Sequence, residues 1–331
     1  MSNPIFIARQ DTLEQEILPA HWLAQYKLFG EESYTFQDKG IWKKLCMSSA
    51  AANDRDIHAE ALEEMLTTFS AEHTGKWMLL VYGTNAAALE GLATMAAIAA
   101  NGTAMGAIVD NALLMHAIAN SETAMQRIAN SQTAMQRVAN NTTAMDAIGR
   151  SRIARDAVQA SPYYNSCIKE NDMAIAKLAV ALANLESAGY SGMAGVAADS
   201  TAMTAVAASS TAMTAVAASA TAMGKIAAVD AALSKLAAST TAMDALYTRK
   251  KKLAGGSASK SGKFIILEIS ASNAFNTSKY GYATLSDGSK PDWSSYLAKY
   301  AFFQKYPKYA TYMLNDTDSD DYIYYFDIAS P

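Results

Sequence analysis

A ten-residue repeat constrains the fold of this chain more than any other feature of its sequence. Each copy is built on Thr-Ala-Met, with Ile or Val three residues after the methionine, as in Thr103-Ala104-Met105 followed by Ile108. The repeat fills two blocks, and the second block resumes in a shifted register. A unit this short cannot bury its own apolar stripe, so it must stack on further copies or on other chains. The repeat therefore predicts an elongated helical assembly and argues against an enzyme.

The apolar repeat positions predict a core between helices of different chains. Met and Ile or Val alternate at spacings of three and seven residues. This pattern resembles a coiled-coil seam in which one core position of each repeat holds a small or polar residue. Between the blocks the spacing becomes that of an ordinary heptad. We expect the following side chains in the core of a three-chain bundle: Met105, Ile108, Met115, Ile118, Met125, Ile128, Met135, Val138, Met145, Ile148, Ile175, Leu178, Leu182, Leu185, Met203, Val206, Met213, Val216, Met223, Ile226, Met243 and Leu246.

The ten-residue period leaves two models of the repeat open. Ten residues over three turns require about 3.3 residues per turn, which is tighter than the ~3.5 of a heptad coil. One model is a continuous overwound helix, and a single straight helix over residues 86–247 would span ~240 Å at about 1.5 Å per residue. The other model is a short helix that restarts in each repeat, because Ser, Asn or Thr precedes Thr-Ala-Met and these residues cap helices.

The whole chain is predicted to be mainly α and elongated. A mostly helical N-terminal domain precedes an alanine-rich, coiled-coil-like helical shaft, and a small β or α+β domain follows it. The amphipathic pattern of Arg55–Phe69 predicts one helix of the first domain. The predicted segments are the N-terminal domain 1–85, the first repeat block 86–160, the heptad segment 161–192, the second repeat block 193–250, the flexible linker 251–262 and the C-terminal tyrosine-rich domain 263–331.

The C-terminal segment changes from alanine to β-forming and aromatic residues. Lys263–Ser270, Tyr282–Leu285 and Tyr322–Phe326 are predicted strands, and Gly255–Gly262 has the composition of a flexible linker. Tyrosine is denser here than packing requires, so contact with a saccharide or protein stands beside plain core packing and self-association. These tyrosines are Tyr280, Tyr282, Tyr296, Tyr300, Tyr306, Tyr309, Tyr312, Tyr322, Tyr324 and Tyr325.

Charge and cysteine content exclude several classes of function. The net charge is −4, the pI is about 5.6, and Arg249–Lys252 is a single short basic run, so no nucleic-acid partner is expected. Cys46 and Cys167 are too few for a disulfide framework. The N-terminus lacks the pattern of a secretory signal, and the uncharged run 200–224 carries Ser and Thr at its centre. We expect no membrane insertion and assembly in a cytoplasm.

The motifs with possible chemistry are each weak. Gly256–Lys263 resembles a phosphate loop but lacks the Ser or Thr after the lysine. Asp316–Asp327 has acidic residues at calcium-loop positions, yet Asp321 replaces the required glycine, so a solvated acidic turn is favoured over calcium binding. His58 and Glu60 have the spacing of a zinc deaminase pair without its cysteines. We therefore predict no catalytic residues, no cofactor and no metal.

The run Thr201-Ala202-Met203-Thr204-Ala205-Val206-Ala207-Ala208-Ser209 resembles the decapeptide arrays of bacteriophage tail-fibre and tail-associated proteins. The resemblance covers about residues 90–250 and says little about either end. It implies a homotrimeric virion protein whose N-terminal domain binds other tail or baseplate proteins. It also implies a distal C-terminal domain for contact with a host-surface glycan or protein. The alternative is a collar, whisker or baseplate protein whose C-terminal domain binds another virion protein.

Overall fold

The computed structural model describes residues 55–67, 74–75, 78, 86–89, 91–270, 281–291, 297–316 and 320–331. The chain forms two compact units, Met1–Ile168 and Lys169–Pro331. The predicted fold class is confirmed, because many short stacked helices precede a five-stranded antiparallel sheet at the C-terminal end. The predicted amphipathic helix is observed as α1, Arg55–Thr67. Most of the predicted N-terminal domain, with Cys46, lies outside the described residues.

The helices of the repeat region are four to eleven residues long. In the first unit α1 is followed by α2 Ala86–Leu89, α3 Met95–Ala100, α4 Gly102–Val109, α5 Ala112–Asn120, α6 Glu122–Ala129, α7 Gln132–Ala139, α8 Thr142–Arg150, α9 Arg152–Ala160 and α10 Tyr164–Cys167. In the second unit they are α11 Asp172–Leu182, α12 Met193–Ala198, α13 Ser200–Ala208, α14 Ser210–Ala217, α15 Ala220–Ala227, α16 Asp230–Ala238 and α17 Thr240–Thr248.

Each repeat forms one helix of about two turns and one corner. Before α7, Ser131 has extended backbone angles (φ −117°, ψ 118°), and its hydroxyl accepts a hydrogen bond from the amide of Ala134. This satisfies an amide that would otherwise have no partner at the helix start. The pattern Ala-Met-x-x-Val-Ala then places four small or apolar side chains on one face, and in α7 all four are buried. The model of short, restarting helices is correct, and the continuous helix is wrong.

The short helices stack with three helices in each turn of the coil. Each helix packs on the helix three positions further along the chain: α4 on α7, α5 on α8 and α6 on α9, then α12 on α15, α13 on α16 and α14 on α17. The axes of α4 and α5 differ by 104° at their corner, which is close to a third of a circle. Three corners therefore bring the chain back over its own start, one helix thickness higher. Among the described residues, no single helix is long and apolar enough to cross a membrane; only the sharply bent pair α4 and α5 passes that test jointly.

The side chains predicted as a core between chains are buried within one chain. Every Met, Ile, Val and Leu of that set in the decapeptide blocks has an exposed fraction of 0%. The same holds for Ile175 and Leu178, whereas Leu182 and Leu185 are partly buried against the core of the second unit. The chain's own helices cover the stripe, so no second chain is needed to keep it from water. Homotrimer formation stays a prediction, but this stripe no longer supports it.

The predicted heptad segment does not form a long coiled-coil helix. α11 ends at Leu182, and Asn184 adopts a left-handed conformation (φ 60°). The next helix, α12, begins only at Met193. Ile175 and Leu182 instead pack one helix against the core of the second unit.

Five antiparallel strands close the second unit. They are β1 Lys251–Ala254, β2 Ala258–Ser270, β3 Gly281–Leu285, β4 Ala310–Asn315 and β5 Tyr322–Asp327, in the order β1-β5-β2-β4-β3. β2 is long enough to pair with β4 along its first half and with β5 along its second half. One face packs on the helical stack through Ile265, Leu267 and Phe326, and α18 (Ala301–Lys305) packs on β2.

The three predicted strands are confirmed, but the predicted linker is wrong. Residues 251–254 form β1, and β2 already begins at Ala258, so only Gly255, Gly256 and Ser257 form the connection. Gly256 has φ 88° and Ser257 φ 67°, which are the left-handed conformations of a tight turn. The composition that indicated flexibility belongs to this tight turn and to the half of β2 that pairs with β4.

Candidate functional site

Four tyrosines cluster where the last repeat helix meets the sheet. Along β5, Ile323 and Tyr325 enter the core, so period-two alternation places Tyr322 and Tyr324 together on the opposite face. Their rings are half-buried, and the ring centres lie 4.3 Å apart. Tyr247 from the last turn of α17 packs edge-on against Tyr324, with ring centres 6.2 Å apart. We name these residues, together with Tyr300, the tyrosine cluster.

Tyr300 enters the cluster from the connection before α18. It has a left-handed backbone (φ 71°), which is uncommon for an aromatic residue. Its amide donates to the carbonyl of Leu267 (N to O 2.6 Å), and its ring meets Tyr247 edge-on with centres 5.7 Å apart. The sheet thus fixes an unusual backbone that carries this ring to the helix end.

A buried carboxylate lies beneath the cluster. Glu268 of β2 is 8% exposed, and it accepts hydrogen bonds from the hydroxyls of Tyr247 (2.5 Å) and Tyr322 (3.2 Å). The register of β2 against β5 shifts between Ile266 and Glu268, which places Glu268 opposite Tyr324 on the cluster face. A buried carboxylate without such donors would be strongly unfavourable, so the two hydroxyls stabilise it and orient the rings.

Lysine ammonium groups lie over the exposed parts of the rings. Lys250 Nζ is 4.0 Å from the ring centre of Tyr247, and Lys299 Nζ is 4.4 Å from the same centre. Lys252 Nζ lies 5.3 Å from the ring centre of Tyr322. These distances are within the range of cation–π attraction. The solvent-facing side of the cluster therefore carries positive charge above aromatic rings.

A second carboxylate anchors the edge of the cluster. Asp244 of α17 accepts hydrogen bonds from the hydroxyl of Tyr300 and from Lys299 Nζ, the latter at 3.2 Å. The Tyr300 hydroxyl is the main cause that lowers the pKa of Asp244, and Lys299 adds to it. The same contacts tie α17 to the sheet, so the cluster also joins the stack to its terminal domain.

Tyr247, Tyr300 and Tyr322 act as hydrogen-bond donors at neutral pH. Burial, and then the hydrogen bond to Glu268, raises the pKa of Tyr247 far above its ordinary value. Burial and the charge of Glu268 raise the pKa of Tyr322. Burial and the bond to Asp244 also raise the pKa of Tyr300. Such hydroxyls stay protonated and are unsuited to act as bases or nucleophiles. The chemistry available is contact: stacking, hydrogen bonding and attraction of negative charge.

The weaker sequence motifs do not assemble into a site. Gly256–Lys263 forms the end of the turn after β1 and the start of β2, not a helix start. Of the calcium pattern, residues 317–319 lie outside the described residues, Asp316 accepts from Ser257, and Asp327 pairs with Lys251 (3.4 Å). Within the described ranges, no group of three or more His, Cys, Asp or Glu side chains could hold a metal ion.

The other predicted tyrosines have separate surroundings. Tyr325 is buried in the core with Phe264, whereas Tyr282 and Tyr312 pair on β3 and β4 with ring centres 5.5 Å apart. Tyr306 packs against Phe302, and Tyr309 packs against the core of the second unit. Tyr280 and Tyr296 lie outside the described residues. Sequence reasoning missed Tyr247, Glu268 and the role of the lysines, although the alternation in Tyr-Ile-Tyr-Tyr was a usable signal for the cluster face.

No protein-family model matches the chain, and no curated protein matches it either.

Proposed function

We propose that the chain is a non-enzymatic structural subunit of a bacteriophage tail fibre. Its helical stack is the spacer, its N-terminal domain attaches to the virion, and its sheet domain contacts the host surface. The observation that carries the proposal is the decapeptide stack that ends against a sheet with a half-buried tyrosine cluster under lysines. The resemblance of the repeats to phage fibre arrays supports the same function.

The geometry of the repeat favours a spacer that is stiff rather than long. Three decapeptides make one turn of the coil, and one turn advances the stack by one interhelical distance, ~8–10 Å. The same thirty residues in a continuous helix would advance ~45 Å. Each added repeat therefore contributes chiefly buried contacts with the turn before it.

The tyrosine cluster is the surface that we assign to host contact. Tyrosine offers rigid area with little loss of side-chain entropy, and its rings and hydroxyls suit a sugar or a protein. Lys250 and Lys252 are exposed there, so a partner with negative charge is favoured. If several copies share a fibre, weak binding at each copy gains avidity.

The proposal is tested with the full chain, fluorescently labelled, on a panel of bacterial cells. Tyr324→Ala and Lys250→Ala each remove part of the cluster surface. Tyr312→Ala and Lys225→Ala are matched controls, because Tyr312 is another half-buried ring of the sheet and Lys225 is an exposed lysine of α15. We expect at least a fivefold loss of cell binding for the cluster variants and little change for the controls.

Equal binding by all four variants would contradict the assignment to the tyrosine cluster. Absence of cell binding together with capture of virion proteins would overturn the host-contact function in favour of a collar or baseplate protein.

A further inference from the structure

The serine that begins a repeat helix also bonds to the turn of the coil beneath it. Its hydroxyl accepts from an amide of its own helix and donates to a main-chain carbonyl of the preceding turn. Four such bonds join residues 32 positions apart: Ser131 to Ala99 (2.6 Å), Ser151 to Ala119 (2.6 Å), Ser161 to Ala129 (2.5 Å) and Ser239 to Ala207 (2.5 Å). In these four cases a main-chain carbonyl of one turn is the acceptor for the corner of the next.

Two serines at equivalent positions bond to a glutamate instead. Ser121, before α6, donates to the carboxylate of Glu63, which also accepts from the Thr123 amide (3.1 Å) and hydroxyl (2.6 Å). Ser219, before α15, donates to the carboxylate of Glu170 (3.4 Å). The Glu170 carboxylate also accepts from the amides of residues 220 (3.2 Å) and 221 (2.9 Å). The two arrangements repeat each other in different units of the chain.

The carbonyls that the 32-residue spacing would offer are occupied at both places. For Ser121 the expected carbonyl is that of Leu89, which accepts from the amide of Leu92 at 3.0 Å. For Ser219 it is that of Ser187, which accepts from Lys177 Nζ and from the amide of Tyr190, each at 3.1 Å. At both places the carbonyl 32 residues earlier already accepts another hydrogen bond, and a side-chain carboxylate is the acceptor for the serine instead.

The direction of α11 explains why a carboxylate is needed in the second unit. Ser209, just before α14, donates to the carbonyl of Leu182 at the end of α11 (3.0 Å), whereas Ser219, just after α14, reaches Glu170 before the start of α11. α11 therefore runs antiparallel to α14. Its C-terminal end offers the carbonyl of Leu182, but its N-terminal end presents amides, so only a side chain can accept there.

We infer that Glu63 and Glu170 each supply a side-chain acceptor at the start of a helical stack, so the two stacks of this chain start and open independently. In the first unit, α1 carries Glu63 and packs on α5 and α6. In the second unit, Glu170 precedes the reversed helix α11. Solenoid repeats need such a terminal unit, because the first turn has no neighbour beneath it.

The test is hydrogen exchange of the full-length protein, read by mass spectrometry for each unit separately. Glu170→Gln keeps the side-chain shape but removes the charge that receives the amides of residues 220 and 221. We expect about tenfold faster exchange or more in α15 and its neighbours, with α5–α9 unchanged. Glu63→Gln is expected to give the reverse pattern. Glu122→Gln is the control, because it removes one exposed charge from the first turn of α6 without touching either contact.

Each outcome decides the inference. Faster exchange confined to the unit of the substituted glutamate supports two independently started stacks. Equal acceleration in both units would show one cooperative stack and overturn the inference, and so would exchange as slow as that of Glu122→Gln. The result does not depend on tail-fibre function, because it measures the opening of helices rather than binding.

Discussion

At the scale of single residues, two polar contacts recur where the repeat could otherwise leave groups unsatisfied. Ser209 accepts from the amide of Ala212 (3.2 Å) and donates to the carbonyl of Leu182 (3.0 Å). Alanine at this position would leave an amide and a carbonyl without these partners. A corner that begins with serine therefore depends on its hydroxyl, although the Met, Ile, Val and Leu positions of the repeat form an apolar core.

We expect Ser209→Ala to lower the free energy of unfolding by about 1–2 kcal/mol, because it removes a helix cap and a bond between turns. Ser210→Ala, one residue later on the exposed helix surface, should change it by less than ~0.5 kcal/mol. Urea unfolding followed by circular dichroism measures both. Equal effects of the two substitutions would show that the cap contributes nothing.

We expect Tyr247→Phe to destabilise the junction between α17 and the sheet by about 1–3 kcal/mol. The buried carboxylate of Glu268 would lose one of its two tyrosine donors while the ring packing stays. Tyr309→Phe is the matched control on another ring that packs on the same core. Thermal unfolding by calorimetry separates them, and a Tyr247→Phe variant as stable as the control would contradict the role of this bond.

The contacts of Glu170 predict a pH dependence. Burial disfavours its charged form, but bonds from the Thr221 amide and hydroxyl and the Ala220 amide outweigh burial and lower its pKa. A lowered folded-state pKa means that the stabilisation is complete above the ordinary glutamate pKa of ~4.3 and is lost as pH falls through the folded-state value. The difference in stability between the natural chain and Glu170→Gln should thus be largest near neutral pH. It should shrink below about pH 4, which urea unfolding at several pH values can follow; a constant difference would contradict this linkage.

At the scale of the helix, each element is too short to be stable alone. Isolated helices below ~12–15 residues are marginal in water, and the repeat helices have only six to nine residues. Their stability comes from burial of the Ala-Met-x-x-(Ile/Val)-Ala face. The alanines are as buried as the methionines, since Ala212 and Met213 both have exposed fractions of 0%.

We expect Met213→Ala to lower the free energy of unfolding by about 2–5 kcal/mol, because a fully buried side chain would leave a cavity. Met213→Leu should lower it by less than ~1.5 kcal/mol, since it nearly conserves volume and polarity. Denaturant unfolding of the two variants tests the intrachain core. A negligible loss of unfolding free energy for Met213→Ala would contradict a close-packed intrachain core. It would mean that neighbouring side chains fill the space or that water already occupies the position.

Much of this element structure was predictable from sequence. The period, the capping residues and the core faces of Met and Ile or Val follow from the repeat itself, and they indicated restarting helices as one of two models. The choice between models depended on the corners, where one residue per repeat adopts extended backbone angles, usually Ser or Asn but also Asp199 and Val229. Glu63 and Glu170 could not be found, because they lie 58 and 49 residues from the serines that they contact.

At the scale of the whole molecule, the location of the core changes the expected assembly. A stripe covered by its own chain gives no hydrophobic reason to trimerise. Light scattering of the full chain tests the predicted homotrimer against the 35.3 kDa of a single chain. A mass three times larger would restore the trimer and place its contacts on other surfaces, such as the sheet domain or the N-terminal domain.

The corner of 104° between successive helices has a consequence for how such a chain lengthens. Inserting one decapeptide would turn everything after it by about a third of a circle around the stack axis. Inserting three would restore the original facing of the tyrosine cluster and raise it by one layer. Variants of this chain that differ by one or two repeats should thus present their terminal sheet on different sides of the stack axis. Variants that differ by three repeats should present it on the same side.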